Sequence, residues 1–120
     1  MINFNIQAHS IIHLQAWENY TLIHFKDQSQ SCFSKTLKRF EEMLADNPQF
    51  VRINRADVIN INYIKKIREN MVELTNGLTL EISRRRQKDV LTKIAAYHSA
   101  MLNKAIFSNT PFIDINQVKF

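Results

Sequence analysis

Two groups of cations dominate the chemistry open to this sequence: Arg52 with Arg55, and the run Arg84-Arg85-Arg86-Gln87-Lys88. A guanidinium presents a planar fork of N–H donors suited to anionic oxygens, whereas a lysine acts as a point charge. These cations are concentrated. Residues 1–49 hold four Lys/Arg and five Asp/Glu, net −1; residues 50–104 hold eleven and five, net +6; residues 105–120 hold one of each, which together give the overall +5. Such concentration points to a polyanionic partner, and the plain alternative is a solvated face that serves solubility. The place of the arginine run favours the partner. Ser83 can cap a helix, so the run would fill the first turn, where positive charge opposes the helix dipole unless an anion lies nearby.

The remaining reactive side chains form no catalytic or metal-binding pattern. His9 and His13 fall in a stretch that reads as strand and share no helical face; with His24 and His98 they find no cysteine or carboxylate cluster to complete a ligand set. Asp27, Glu41, Glu42 and Asp46 make no pair for acid–base work, and no nucleophile motif surrounds a serine, so neither an enzyme nor a cofactor is expected. Cys32 has no neighbouring cysteine, and a buried structural thiol is the expectation. One Gly and two Pro among 120 residues leave no Gly-rich phosphate loop and no flexible linker. A 45% hydrophobic content closes one core, and two separate domains would each be too small. No segment approaches the roughly 18 consecutive apolar residues of a membrane span. The N-terminus MINFNIQAHS lacks the pattern of a signal peptide, so a cytoplasmic protein is expected.

The elements that must position the cations follow from periodicity. Residues 2–6 (INFNI) alternate as a strand; IIHLQA and TLIHF form a hairpin around Trp17-Glu18-Asn19-Tyr20, with a return strand through SCF. In SKTLKRFEEMLADNP the period becomes helical, with Leu37, Phe40, Met43 and Leu44 on one stripe, Ser34 or Thr36 as N-cap and Pro48 past the end. FVRINRADVININYIKKI reads as two short strands with a basic corner. Asn76-Gly77 between alternating segments predicts a hairpin with a type I′ turn. After Ser83, residues Val90, Leu91, Ile94, Ala95, Met101, Leu102 and Ile106 recur at helical spacing. The order β-β-β-α-β-β-β-β-α predicts an all-β or α+β domain without parallel βαβ units.

Four phrases in this order, LQAWENYTLIHF, KTLKRFEEML, FVRINRADVININYI and NGLTLEISRRRQKDV, resemble the LytTR family of bacterial transcription regulators over residues 10–94. The more specific part is Phe50-x-Arg52-aliphatic-x-Arg55-x-x-Val58-Ile59-Asn60, followed downstream by Asn76-Gly77 and Ser83-Arg84-Arg85-Arg86. The resemblance implies a mostly β (α+β) fold of elongated, small antiparallel sheets with one short helix and a C-terminal helix. It also implies that loops enter successive major grooves of double-stranded DNA and bend it. Matched by motif, these loops are Trp17 to Tyr20, Arg52 to Arg55 and Ser83 to Arg86. Tyr20, Arg55 and Arg85 align with positions that contact bases. Asn19, Arg52, Asn54, Arg84 and Arg86 match contacts to the DNA backbone or its support, and Lys88, like Arg84 and Arg86, supplies sequence-blind charge that suits a phosphate.

An arginine can give paired hydrogen bonds to guanine O6 and N7, which suits Arg55 and Arg85; the alternative is that they are surface residues or ion-pair partners of Asp57 and Asp89. Trp17 and Tyr20 would stack on DNA or sit at a strand edge. Asn60 is expected to hold loop backbone. Family members often carry His, Ser and an aromatic or apolar residue where this chain has Asn54, Ala56 and Asp57, so a hydroxyl is lost and an acid is expected beside the DNA surface.

Residues 1–94 are the expected LytTR-like DNA-binding domain, and residues 95–120 a C-terminal helix extension and tail outside the resemblance. No receiver domain, the family's usual input, precedes it, which points to a separate sensor or regulatory protein. On DNA a homodimer is expected. The alternative function is a protein-interaction or dimerisation module using the amphipathic helix over 86–106, and a weaker one is single-stranded RNA binding through Trp17 and Tyr20.

Overall fold

The computed structural model describes residues 7–108. Three strands open the chain, β1 (Ile11–Trp17), β2 (Tyr20–Phe25) and β3 (Gln30–Phe33), before the short helix α1 (Leu37–Met43). Five follow: β4 (Phe50–Arg52), β5 (Asp57–Asn60), β6 (Ile64–Arg68), β7 (Met71–Leu74) and β8 (Thr79–Glu81). The helix α2 (Gln87–Ser108) closes the described chain, entered through a 3-10 turn at Arg84–Arg86. The strands form two antiparallel sheets, one ordered β3-β2-β1-β5-β4 and one ordered β6-β7-β8. With extents of 54 × 34 × 25 Å the molecule is elongated.

Successive residues of a strand face opposite sides of its sheet, so an unbroken apolar run belongs where both sides are covered. Ile11-Ile12 in β1 and Val58-Ile59 in β5 are such runs. Ile11, Leu14, Ile23 and Val58 pack with Leu37, Phe40 and Leu44 in one core, on the side of α1. Ile12, Val51 and Ile59 pack with Val72 and Leu74 of β7, Ile82, and Val90 and Ile94 of α2 in the other. The larger sheet is therefore the middle layer, with α1 on one face and the smaller sheet plus α2 on the other. Burying each such aliphatic side chain contributes about 1.5–3 kcal/mol relative to leaving it exposed.

Several expectations need correction. Five strands, not four, separate the helices. The additional one, β6, escaped notice because its register shifts between Ile64 and Lys66, which breaks the period-two pattern. The Asn76-Gly77 hairpin exists, but its turn is not type I′. The Gly77 N–H donates to the Leu74 carbonyl (3.0 Å) and the Leu74 N–H to the Leu78 carbonyl (2.9 Å), and Gly77 alone lies at positive φ, 89°. This is a three-residue loop closed by a left-handed residue. Thr36, not Ser34, caps α1, accepting from the Arg39 N–H. Met43 turns out to solvent, and so do Leu91, Met101 and Leu102 on α2. Ser83 provides no side-chain cap; its N–H is used elsewhere, as described below. Cys32 is exposed on the edge strand β3, not buried. The strand expected over residues 2–6 lies outside the described residues, as does the tail. Among the described residues, no helix is long and apolar enough to cross a membrane.

Candidate nucleic-acid interface

Strand register brings the three loops to one end of the molecule. Gln15 of β1 stands opposite Asp57 of β5, and the Ala16 N–H donates to the Ala56 carbonyl at 2.8 Å. The β1–β2 turn and the β4–β5 loop are therefore side by side. The third segment arrives from β8: the Ser83 N–H donates to the Ile53 carbonyl (2.9 Å), and Asn54 Nδ2 donates to the Glu81 carbonyl (2.6 Å). A further cation, Lys35, was not singled out from sequence. Thr21 Oγ1 donates to its carbonyl (2.7 Å) while Thr21 pairs with Phe33, so exposed Lys35 sits at the same end. Only the β2–β3 pairing reveals that proximity.

The corner between β4 and β5 is braced by its own side chains. Arg52, 17% exposed in its side chain, donates from Nε to the Asn54 carbonyl (3.1 Å) and from Nη2 to the Arg55 carbonyl (2.6 Å), and its Nη1 lies 3.1 Å from Glu41 Oε1. Asn54 Oδ1 accepts from the Ala56 N–H (2.6 Å), and Asn54 Nδ2 also donates to Asp57 Oδ2 (2.9 Å). Both side chains are spent on holding the loop. Arg55 between them is exposed, and among the described residues its guanidinium has no hydrogen bond or ion pair.

Asp57 does not lie beside the surface, as sequence suggested. It is 7% exposed and turned inward, with Oδ1 2.6 Å from His13 Nε2. Burial alone would raise its pKa; the hydrogen bonds from His13 and Asn54, with the nearby rings, outweigh that and hold it below the ordinary 3.8. The His13 ring stacks on that of His24, centroids 4.8 Å apart and 10° from parallel, and His24 Nε2 donates to Gln15 Oε1 at 3.1 Å. Asn60, fully buried, holds backbone: its Nδ2 donates to the Ile11 carbonyl (2.8 Å) and its Oδ1 accepts from the Asn62 N–H (2.9 Å).

The other two segments are more open. Trp17 and Tyr20 face each other across β1 and β2, 59% and 48% exposed, and Glu18-Asn19 turns between them with Glu18 at φ 56°. The same Glu-Asn pair makes the β6–β7 turn, with Glu69 at φ 55°. Arg84, Arg85 and Lys88 are exposed and Arg86 half-buried at the entry to α2. None of the four has a side-chain hydrogen bond or ion pair among the described residues; Asp89, a candidate partner, lies 3.3 Å from Lys93 instead. Unpaired cations at a helix N-terminus are mildly unfavourable in isolation and suit a site that receives an anion. No group of His, Cys, Asp and Glu among the described residues has the arrangement of a metal site.

The family model described as LytTr DNA-binding domain matches residues 3–95. The chain is 30% identical over 95 residues to the Transcriptional regulatory protein LytR of Staphylococcus aureus strains N315 and NCTC 8325. That alignment covers 74% of the chain but 37% of the relative, so the chain spans little more than a third of those proteins. Among solved structures it is similar in fold to the LytTr DNA-binding domain of a methyl-accepting/DNA response regulator from Bacillus cereus. The TM-score is 0.65 at 20% identity, covering 72% of this chain and 82% of that one. The small antiparallel sheets, the C-terminal helix and the matched model over 3–95 place this chain in the LytTR family of DNA-binding domains.

Proposed function

We propose that this domain regulates transcription by binding specific duplex sequences, with its three loops entering successive major grooves. Tyr20, Arg55 and Arg85 contact bases; Asn19, Arg84, Arg86 and Lys88 contact the DNA backbone; Arg52 and Asn54 support the loop that carries Arg55. Residues 1–94 form the binding unit and residues 95–120 an extension. The protein works in the cytoplasm, binds as a homodimer on paired half-sites, and takes its input from a separate sensor or regulatory protein. The observation that carries this reading is the group of exposed guanidinium groups on Arg55, Arg84 and Arg85, unpartnered among the described residues, at the end where hydrogen bonds tie the three loops together. Transcriptional control is supported by the likeness to the Transcriptional regulatory protein LytR of Staphylococcus aureus.

Selecting bound duplexes from a random pool gives the recognised motif and its half-site spacing. On the recovered duplex, Arg85→Ala should weaken binding by about 1–3 kcal/mol while random DNA is hardly affected. Equal losses on both would leave Arg85 as a phosphate contact. A second reading, dimerisation through α2, is favoured by the exposure of Leu91 and of Leu102, which is 61% exposed. Sedimentation of a chain truncated after Ala95 separates the two, because unchanged association and unchanged DNA binding remove any role for the helix.

A further inference from the structure

The inward-facing chain of polar groups behind the corner is used by no DNA contact proposed above. We infer that Asp57, His13 and His24 are positioning residues for DNA reading: through Asn54 they set the Arg55 loop and lock it against the segment that leads to Arg84 and Arg85. This inference rests on the proposed base-reading role of those loops.

The geometry runs in one line. His24 is seated on Gln15 of β1 and stacks on His13; His13 Nε2 meets one oxygen of Asp57; the other oxygen takes the Asn54 amide; and that same amide reaches the Glu81 carbonyl. An ionised carboxylate only accepts, so the His13 proton sits on Nε2, and both Asp57 oxygens are occupied. His13 Nδ1 is buried and finds no partner among the described residues, so a proton moved there would be a buried donor without an acceptor. Asn54 is the joint: one side chain joins Asp57, the Ala56 backbone and Glu81, and so fixes two loops at once. A base-reading arginine needs its loop held to within about half an ångström, which is what such a supporting layer provides.

The chain also carries a titratable end. His24 is half-buried; burial first, then the neighbouring His13, lower its pKa below 6.5, with Asp57 opposing. The groups that face it are His13 from β1, Asp57 from β5 and the uncharged Gln30 opposite on β3. Protonating His24 places a cation on the stack that orients Asp57. Because the folded pKa is depressed, this happens as pH falls below 6.5, and it works against the folded arrangement.

Two measurements on the 120-residue chain test the inference. Asp57→Asn conserves volume, yet its amide can serve Asn54 only by forcing the His13 proton onto the unpartnered Nδ1. Affinities are then compared for the selected duplex and for a shuffled duplex of equal composition. The expected result is a folded variant whose preference for the selected duplex drops roughly tenfold, the discrimination one misplaced arginine forfeits, with shuffled-duplex affinity and salt dependence unchanged. A folded variant with full preference overturns the inference, and a wild-type chain with no preference overturns the base-reading role together with it. The second measurement needs no DNA and no variant. Amide NMR signals of residues 53–56 and 81–84 should shift with the His24 ring titration as pH falls below 6.5. Signals that stay fixed while His24 titrates sink the positioning role and leave base reading untouched.

Discussion

The corner from Arg52 to Asp57 and the run from Arg84 to Lys88 are both basic, both near one end of the molecule, and built on opposite terms. In the corner, Arg52, Asn54 and Asp57 bond to the loop itself or to what lies behind it, and Arg55 alone projects. In the run, no cation is tied to protein among the described residues. The first arrangement fixes the direction of one guanidinium; the second supplies charge that can adjust to whatever lies in front of it. Sequence-blind contacts with phosphates tolerate that freedom, while contact with a base edge does not. Positive charge alone therefore says little about a residue's task, and the hydrogen bonds behind it say more.

Substitutions on either side test this contrast. The largest effect should come from Asp57→Ala, which strands the buried His13 donor and takes one acceptor from the Asn54 amide: a loss of about 3 kcal/mol in urea unfolding, against which the run has no counterpart. A loss as small as that of a surface residue would mean that the corner is not braced. Arg52→Met keeps the apolar stem and removes three hydrogen bonds, so about 2 kcal/mol should be lost in the same measurement. Lys88→Ala should leave stability within about 0.5 kcal/mol. It should lower the dependence of log K on log salt by about one unit if it meets a phosphate. An unchanged slope would put Lys88 outside the contact surface.

Much of the architecture was legible because its causes are local. Runs of β-branched and aromatic residues betray β1 and β2, alternation betrays β4, helical spacing betrays α1 and α2, and a Gly after Asn betrays a hairpin whose turn is not type I′ because only one of its residues takes positive φ. Asp57 shows where local reading stops. Beside Arg55 in sequence, it looked like an acid added to a basic surface, yet its principal partner is His13, 44 positions earlier. Cys32 differs for a related reason: a cysteine among β-formers suggests burial, but β3 is an edge strand and Cys32 is exposed on it, which only the sheet order reveals. Arg52 and Arg55 were indistinguishable in type, and their difference rests on which carbonyls lie within reach.

The separations in the corner also bear on how the domain assembles. The Trp17–Tyr20 turn joins adjacent strands and forms from neighbours, but Asp57 must find His13 across 44 residues, Asn60 must find the Ile11 carbonyl across 49, and Asn54 must find Glu81 across 27. Contacts so distant along the chain close slowly, because the entropy of ordering the intervening segment is lost before they form. During refolding, attraction to any nucleic acid should therefore return early, carried by charge, and discrimination should return last. Stopped-flow refolding in the presence of labelled selected and shuffled duplexes would separate the two phases, and a single common phase would contradict the expectation.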